Sequence, residues 1–218
     1  MNEKVTISFK PKEATKRLLG VLAKRAQDVL VSRYGLGTKP AKLTLDAIGK
    51  KYAITRERVR QIENHSLAAI RKSKVYQEAE PVFTELKAVL LTLGGLVAEK
   101  DLLSHLSKDL SNQNHLHFLL VIGEEFKREK EDEEFKHRWH VDSELAQKIQ
   151  AALRKLYSKL SDDELVLEGD LVDDFLDEVK DMNDKYKNEE VIKRWLSISH
   201  KIGKNPLGEW GQAHSQNV

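Results

Sequence analysis

The stretch from Thr44 to Lys72 constrains this chain most. Thr44 is a capping residue ahead of a short helical segment, 45–52, and Thr55 caps a longer one, 56–72. Gly49 is small where two helices must cross. Ala53 lies in the turn four residues later, and Val59, six further on, packs the second helix back onto the first. This spacing predicts a helix-turn-helix. In the second helix Val59, Ile62, Leu67 and Ile70 form an inner stripe, while Arg56, Glu57, Arg60, Gln61 and Asn64 fall on the other side. If the turn needs a positive φ at Ala53, where Gly, Asn or Asp is more usual, alanine costs about 1 kcal/mol.

Upstream, residues 13–34 read as two helices broken near Ala23, with Leu18, Leu19, Leu22, Val29, Leu30 and Tyr34 as the buried stripe. Gly35 and Gly37 stop the second, and Pro40 lies in the loop that follows. Charge separates along the chain. Residues 1–75 carry 18 Lys and Arg against 6 Asp and Glu, a net +12, and the remainder carries 19 against 29, a net −10. A +12 block suits a polyanion, whereas the acidic block suits a protein partner or a solvated surface. The outer face of the second helix combines Arg, Glu and Gln near its N-terminus. Arg pairs with guanine, Gln with adenine, and Glu accepts from the cytosine amino group, each good pair giving about 1–3 kcal/mol of discrimination. The pattern points to DNA reading, with a protein-docking helix pair as the other interpretation.

LTLDAIGKKYAITRERVRQIENHSLAAIRKS strongly resembles region four of the primary bacterial RNA polymerase sigma factors, and RAQDVLVSRYGLG just upstream resembles the first half of that region. The likeness spans about residues 14–73, and its most specific core is TRERVRQIE, from Thr55 to Glu63. The resemblance implies recognition of a promoter −35 element in the major groove of double-stranded DNA. It assigns base reading to Arg56, Glu57 and Gln61, and phosphate contact to Thr55, Arg58, Arg60 and Lys72. It also implies contact with the β flap of RNA polymerase core through the neighbourhood of Leu30 to Tyr34. No aromatic-rich segment suited to −10 reading and promoter melting precedes this region. The chain is therefore expected to be a sigma-like initiation factor without being a complete sigma factor. A polymerase- or sigma-binding regulatory module, a decoy or anti-sigma-like protein, is the alternative.

The rest reads as mainly helical. A charged linker, 73–80, leads to Pro81. A helix at 82–93 ends at Gly94-Gly95, and Leu96-Val97 can form a short strand. Helices at 98–106 and 112–122 follow, then strands at 126–128 and 135–141 around the acidic tip 129–134. Helix, helix, helix, hairpin is the order of a winged helix. Its acidic tip argues for protein contact or spacing over a second DNA reader, because a DNA-binding wing lies against phosphate. Residues 142–160 form an amphipathic helix through Leu145, Ile149, Ala152, Leu153, Leu156 and Leu160. Ser161 and Asp162 start an acidic stretch, 165–179, and a third helix covers 189–202. The expected fold class is mainly α. Residues 1–75 form a helical bundle with the helix-turn-helix, 81–141 a winged-helix-like domain with a small hairpin, and 142–204 an acidic helical segment. Residues 205–218 are expected to be a loose tail, opening a further domain that faintly resembles polymerase delta-like (HARE-type) subunits.

The chemistry this chain excludes is as informative. It has no cysteine, which removes disulfides, thiolate nucleophiles and Cys-ligated zinc. His115 and His117 sit two apart on a helix, and His137 and His140 flank Trp139, so neither pair has metal-ligand spacing; no metal or cofactor is expected. The carboxylates Asp170, Asp173, Asp174, Asp177 and Glu178 lack a basic partner or phosphate loop in sequence, and no enzyme is expected. The longest apolar run, from Phe118 to Ile122, is far shorter than the roughly 20 residues that span a bilayer. The start, MNEKVTISFKPK, lacks the apolar core of a leader. The expected setting is cytoplasmic and nucleoid-associated.

Overall fold

A computed structural model of the chain describes residues 6–161 and 165–215. Residues 1–5 and Asp162, both used in the expectations above, lie outside the described residues. Eleven α-helices and five short strands make the described residues mainly α. They form two compact units. One comprises the residues up to Ala88 with Leu103–Glu124, the other Val89–Leu102 with the residues from Glu125 onward. Among the described residues no helix is long and apolar enough to cross a membrane.

The N-terminal unit opens with α1 (Pro11–Leu19) and α2 (Lys24–Tyr34). Gly35 ends α2 in the left-handed region (φ 65°). α3 (Leu45–Tyr52) and α4 (Arg56–Arg71) are each started by a threonine. Thr44 Oγ1 accepts the Ala47 N–H at 3.1 Å, and Thr55 Oγ1 accepts the Arg58 N–H at 3.1 Å, satisfying donors that a helix start leaves unpaired. Ala53 does take a positive φ, 54°, the one non-glycine residue to do so among the described residues. The cost of about 1–2 kcal/mol is offset by the turn it closes, in which the Ile54 N–H donates to the Gly49 carbonyl at 3.0 Å. That approach also explains Gly49, since a Cβ there would stand 2.7 Å from the Ile54 oxygen. Val29, Ile48 and Val59 are fully buried together, so α2, α3 and α4 share one core.

The stretch 73–80 is not a linker. Ser73 caps α5 (Lys74–Glu78) by accepting the Tyr76 N–H, and α6 (Glu80–Thr92) follows at once. Pro81 falls in the first turn of α6, where a missing N–H costs nothing. The linker expectation failed because Tyr76 packs its ring against Phe83, with centroids 5.0 Å apart. β1 (Leu96–Ala98), α7 (Glu99–Leu106) and α8 (Leu110–Ile122) come next. The chain thus runs helix, strand, helix, helix, hairpin, with these elements shared between the two units. α8 lies in the N-terminal unit against α1, α2 and α4. Of its residues only Leu110 is exposed, so this helix has no polar face to offer a DNA groove.

In the C-terminal unit β1, β2 (Lys127–Glu129) and β3 (Arg138–His140) form an antiparallel sheet in the order β1-β3-β2, with Trp139 opposite both Val97 and Arg128. β2 has the expected length, one residue later than expected, and β3 is shorter than the expected 135–141 because Phe135 bridges to Ser199 instead. Part of the acidic tip is paired with side chains of the same unit. Glu129 accepts from Arg138 at 2.6 Å, Glu131 from His200 at 2.8 Å and Glu134 from Arg154 at 2.8 Å. α9 (Ser143–Lys159) packs with α10 (Glu168–Glu178) and α11 (Glu189–Ile198) around Ile149, Leu153, Phe175 and Trp195. The exposed carboxylates of α10 lie opposite its buried Leu171, Val172 and Phe175. α11 ends at Ile198, short of the expected 202, because Ile202 begins β4 (Ile202–Lys204), which pairs with β5 (Trp210–Gln212). Residues 205–212 are therefore no loose tail. Asn205 Oδ1 accepts the Leu207 and Glu209 N–H groups, Trp210 is buried, and Glu168 receives Lys193, Lys204 and the Trp210 indole. Those three donors hold the Glu168 carboxyl down to about 2.

Candidate nucleic-acid interface

α4 divides as its sequence requires. Val59, Leu67 and Ile70 are buried and Ile62 is half-buried, while Arg56, Glu57, Arg60, Gln61 and Asn64 are all exposed. Positions 57, 60, 61 and 64 follow the three-and-four spacing of one helix face, and Arg56 stands at the helix start beside them. The structure thus gathers the three residues expected to read bases, Arg56, Glu57 and Gln61, on one exposed strip at the N-terminal half of α4. Their side chains engage one another. Arg60 Nε and Nη2 each donate to Glu57 at 2.8 Å, Arg58 Nη1 donates to the Gln61 oxygen at 3.2 Å, and Arg56 Nε lies 4.0 Å from Asp46 on α3. The Arg60 guanidinium holds the Glu57 carboxyl below the usual carboxylate range, and Glu57 in turn raises Arg60. Glu57 also sits at the positive end of the helix dipole. Pairs this exposed are weak and exchange readily for other partners.

The residues expected at phosphate do not form one group. Thr55, Arg58 and Arg60 cluster at the start of α4, where the Thr55 hydroxyl already accepts the cap bond. Lys72 is exposed at the far end, eleven residues and about 16 Å along the axis from Gln61. The neighbourhood placed at the polymerase flap is buried at its two ends, while Val31, Ser32 and Arg33 between them are half-exposed. Leu30 is fully buried and Tyr34 nearly so, the Tyr34 ring standing edge-on to Phe118 of α8 at 5.2 Å.

The structure adds contacts that sequence reasoning missed. Tyr34 Oη donates to Glu63 at 2.8 Å, and Arg33 lies 3.4 Å from the same carboxylate, so the middle of α4 is tied to the end of α2. Burial and the Glu63 charge raise the Tyr34 phenol well above its ordinary value. Arg71 donates to the carbonyls of Val121 and Ile122 at 2.8 and 3.0 Å. Asn114 donates to the carbonyls of Gly35 and Pro40 at 3.1 and 2.9 Å. Only Glu63 carried a local hint, as a carboxylate on the inward side of a charged helix. The other partners are 50 or more residues apart. Among the described residues no group of His, Asp or Glu could hold a metal ion.

This arrangement, a threonine-capped helix with an exposed polar strip set across a short partner helix, is a helix-turn-helix of the DNA-binding kind. Comparison places it further: residues 18–72 match the family model described as "Sigma-70, region 4". That segment thus carries a sigma-70 region 4. Similar proteins include the "RNA polymerase principal sigma factor HrdD" of Streptomyces viridifaciens and of Streptomyces coelicolor, each 40% identical over 55 residues, 25% of this chain and 16% of theirs. The "RNA polymerase sigma factor SigA" of Clostridium acetobutylicum is 42% identical over 60 residues, 28% of this chain and 16% of that protein. The chain therefore spans about a sixth of the length of these relatives. No solved structure matches it.

Proposed function

We propose that this chain is a sigma-like, sequence-specific DNA-binding factor of transcription initiation that reads a −35-type promoter element with α4. Arg56, Glu57 and Gln61 read base edges. Thr55, Arg58 and Arg60 hold the phosphate backbone beside them, and Lys72 meets phosphate at the other end of the helix. The observation that carries this reading is the exposed strip Arg56, Glu57, Gln61 on a capped helix, inside the segment that matches region 4. A helix that served only to dock a protein would have no use for three base-reading side chains on one face. The pairs of Glu57 with Arg60 and of Arg58 with Gln61 are compatible with it, because pairs this exposed are weak and give way readily to partners on DNA. RNA polymerase core is the proposed protein partner. Because Leu30 is buried and Tyr34 packs on Phe118 of α8, a flap contact at this neighbourhood would fall on the half-exposed Val31, Ser32 and Arg33 between them. The acidic C-terminal unit is the proposed seat of any further protein contact.

Substitutions separate the roles. Arg56→Ala and Gln61→Ala each relax specificity at one base position, at about 1–3 kcal/mol of discrimination. Arg60→Ala weakens binding to every sequence and lowers the salt slope by about one unit. Fluorescence anisotropy on hexamer-bearing and scrambled duplexes at two salt concentrations checks both. Equal losses on both duplexes for all three variants would contradict the base-reading assignment.

A further inference from the structure

The geometry points to α8 as the brace that sets the recognition helix, with Arg71 as its positioning residue, although α8 lies wholly outside the segment that matches region 4. The inference rests on the reading of α4 as the base-reading helix.

Three contacts carry it. Arg71 is the last residue of α4, and its guanidinium forks onto the carbonyls of Val121 and Ile122 at the end of α8. A helix end leaves its final carbonyls without intrahelical donors and gathers negative partial charge there. A planar, permanently charged fork suits that pair of acceptors better than any other side chain. Phe118, one turn before those carbonyls, braces the Tyr34 ring, and Tyr34 donates to Glu63 at the middle of α4. Asn114, one turn earlier again, holds the carbonyls of Gly35 and Pro40, at the start and in the middle of the loop that leads into α3. So α8 meets α4 directly at its end, indirectly at its middle, and through the loop ahead of its partner helix. The reading side chains make none of these contacts: their own partners are Asp46 on α3, and Arg58 and Arg60 near the start of α4, about ten residues before Arg71. The apolar stripe Val59, Leu67 and Ile70 seats α4 in the core, but apolar packing is not directional, and even a small rotation about the axis turns Arg56, Glu57 and Gln61 away from the bases together. Two anchors along α4 fix that rotation. Specificity, more than affinity, is what the brace supplies, because phosphate contacts tolerate a small rotation and base edges do not.

The test uses the full chain and two Arg71 variants in the anisotropy assay, at a temperature where circular dichroism shows each folded. Arg71→Met keeps the stem and removes both donors. It is expected to lower the preference for the hexamer duplex over the scrambled one by about fivefold or more, the loss of one reader. Binding to the scrambled duplex and its salt slope stay unchanged. Arg71→Lys, which can serve one carbonyl, recovers part of the preference. Equal losses on both duplexes with a salt slope lowered by about one would make Arg71 a phosphate contact and overturn the inference. An undiminished preference in Arg71→Met would overturn it too, with the reading of α4 intact. If wild-type protein shows no preference at all, the reading of α4 fails first and the inference with it. Should Arg71→Met not fold, Phe118→Leu decides by the same ratio, since it keeps an apolar filling and removes only the ring against Tyr34.

Discussion

Phe118→Ala lowers the stability of the N-terminal unit by about 3–5 kcal/mol, the usual cost of emptying a buried aromatic site. Phe118 is fully buried, and its ring meets Tyr34 edge-on at 5.2 Å and 71°, the geometry that adds to simple burial. Tyr34 then loses the support that aims its hydroxyl at Glu63, so the effect reaches the helix-turn-helix from a residue 59 positions beyond Val59. Urea unfolding followed by helical circular dichroism measures it. Leu110→Ala on the same helix is the control. That side chain is 57% exposed, and its loss is expected to change stability by less than about 0.5 kcal/mol. Similar small effects for both variants would show that α8 is dispensable to the unit.

Trp195→Ala has an effect of the same size in the C-terminal unit, about 3–5 kcal/mol. Its ring is fully buried between Phe175 and Tyr186, at 6.0 and 6.1 Å between centroids. Its indole N–H donates to the Gly94 carbonyl at 3.2 Å, and the variant leaves that oxygen buried without its partner. The approach is so close that a Cβ on Gly94 would lie 2.8 Å from the indole nitrogen, which is why the helix-ending glycine at φ 121° faces this ring. Trp139 and Trp210 belong to the same unit and remain as fluorescence reporters of its unfolding. An unfolding midpoint unchanged from wild type would contradict the packing described.

The helix-turn-helix was legible in the sequence almost residue by residue because its signals are local. Thr44 and Thr55 cap the helices that follow them, Gly49 and Ala53 make the crossing and the turn, and one stripe faces inward. The exposed strip on α4 follows from the same periodicity. What the sequence hid depends on partners far along the chain. α5 looked like a charged linker because the packing of Tyr76 on Phe83 has no local signature. Residues after 204 looked loose because Trp210 is buried only once Val166 bridges to it and Glu168 takes its indole N–H. The acidic tip likewise carries no local sign that Glu129, Glu134 and Glu131 meet Arg138, Arg154 and His200. Lys72 resembles a phosphate contact by position in the motif, but sits at the opposite end of α4 from the other candidates. Arg71, next to it, carries no sequence mark of its bond to α8.

The central claim is tested most directly by fluorescence anisotropy of the full chain on a duplex carrying the −35 consensus hexamer against a scrambled duplex, at two salt concentrations. The expected result is a preference for the hexamer of tenfold or more, about 1.4 kcal/mol, that persists as rising salt weakens binding to both. Equal binding to the two duplexes, falling together with salt, would contradict it and leave α4 as a basic helix without a sequence to read.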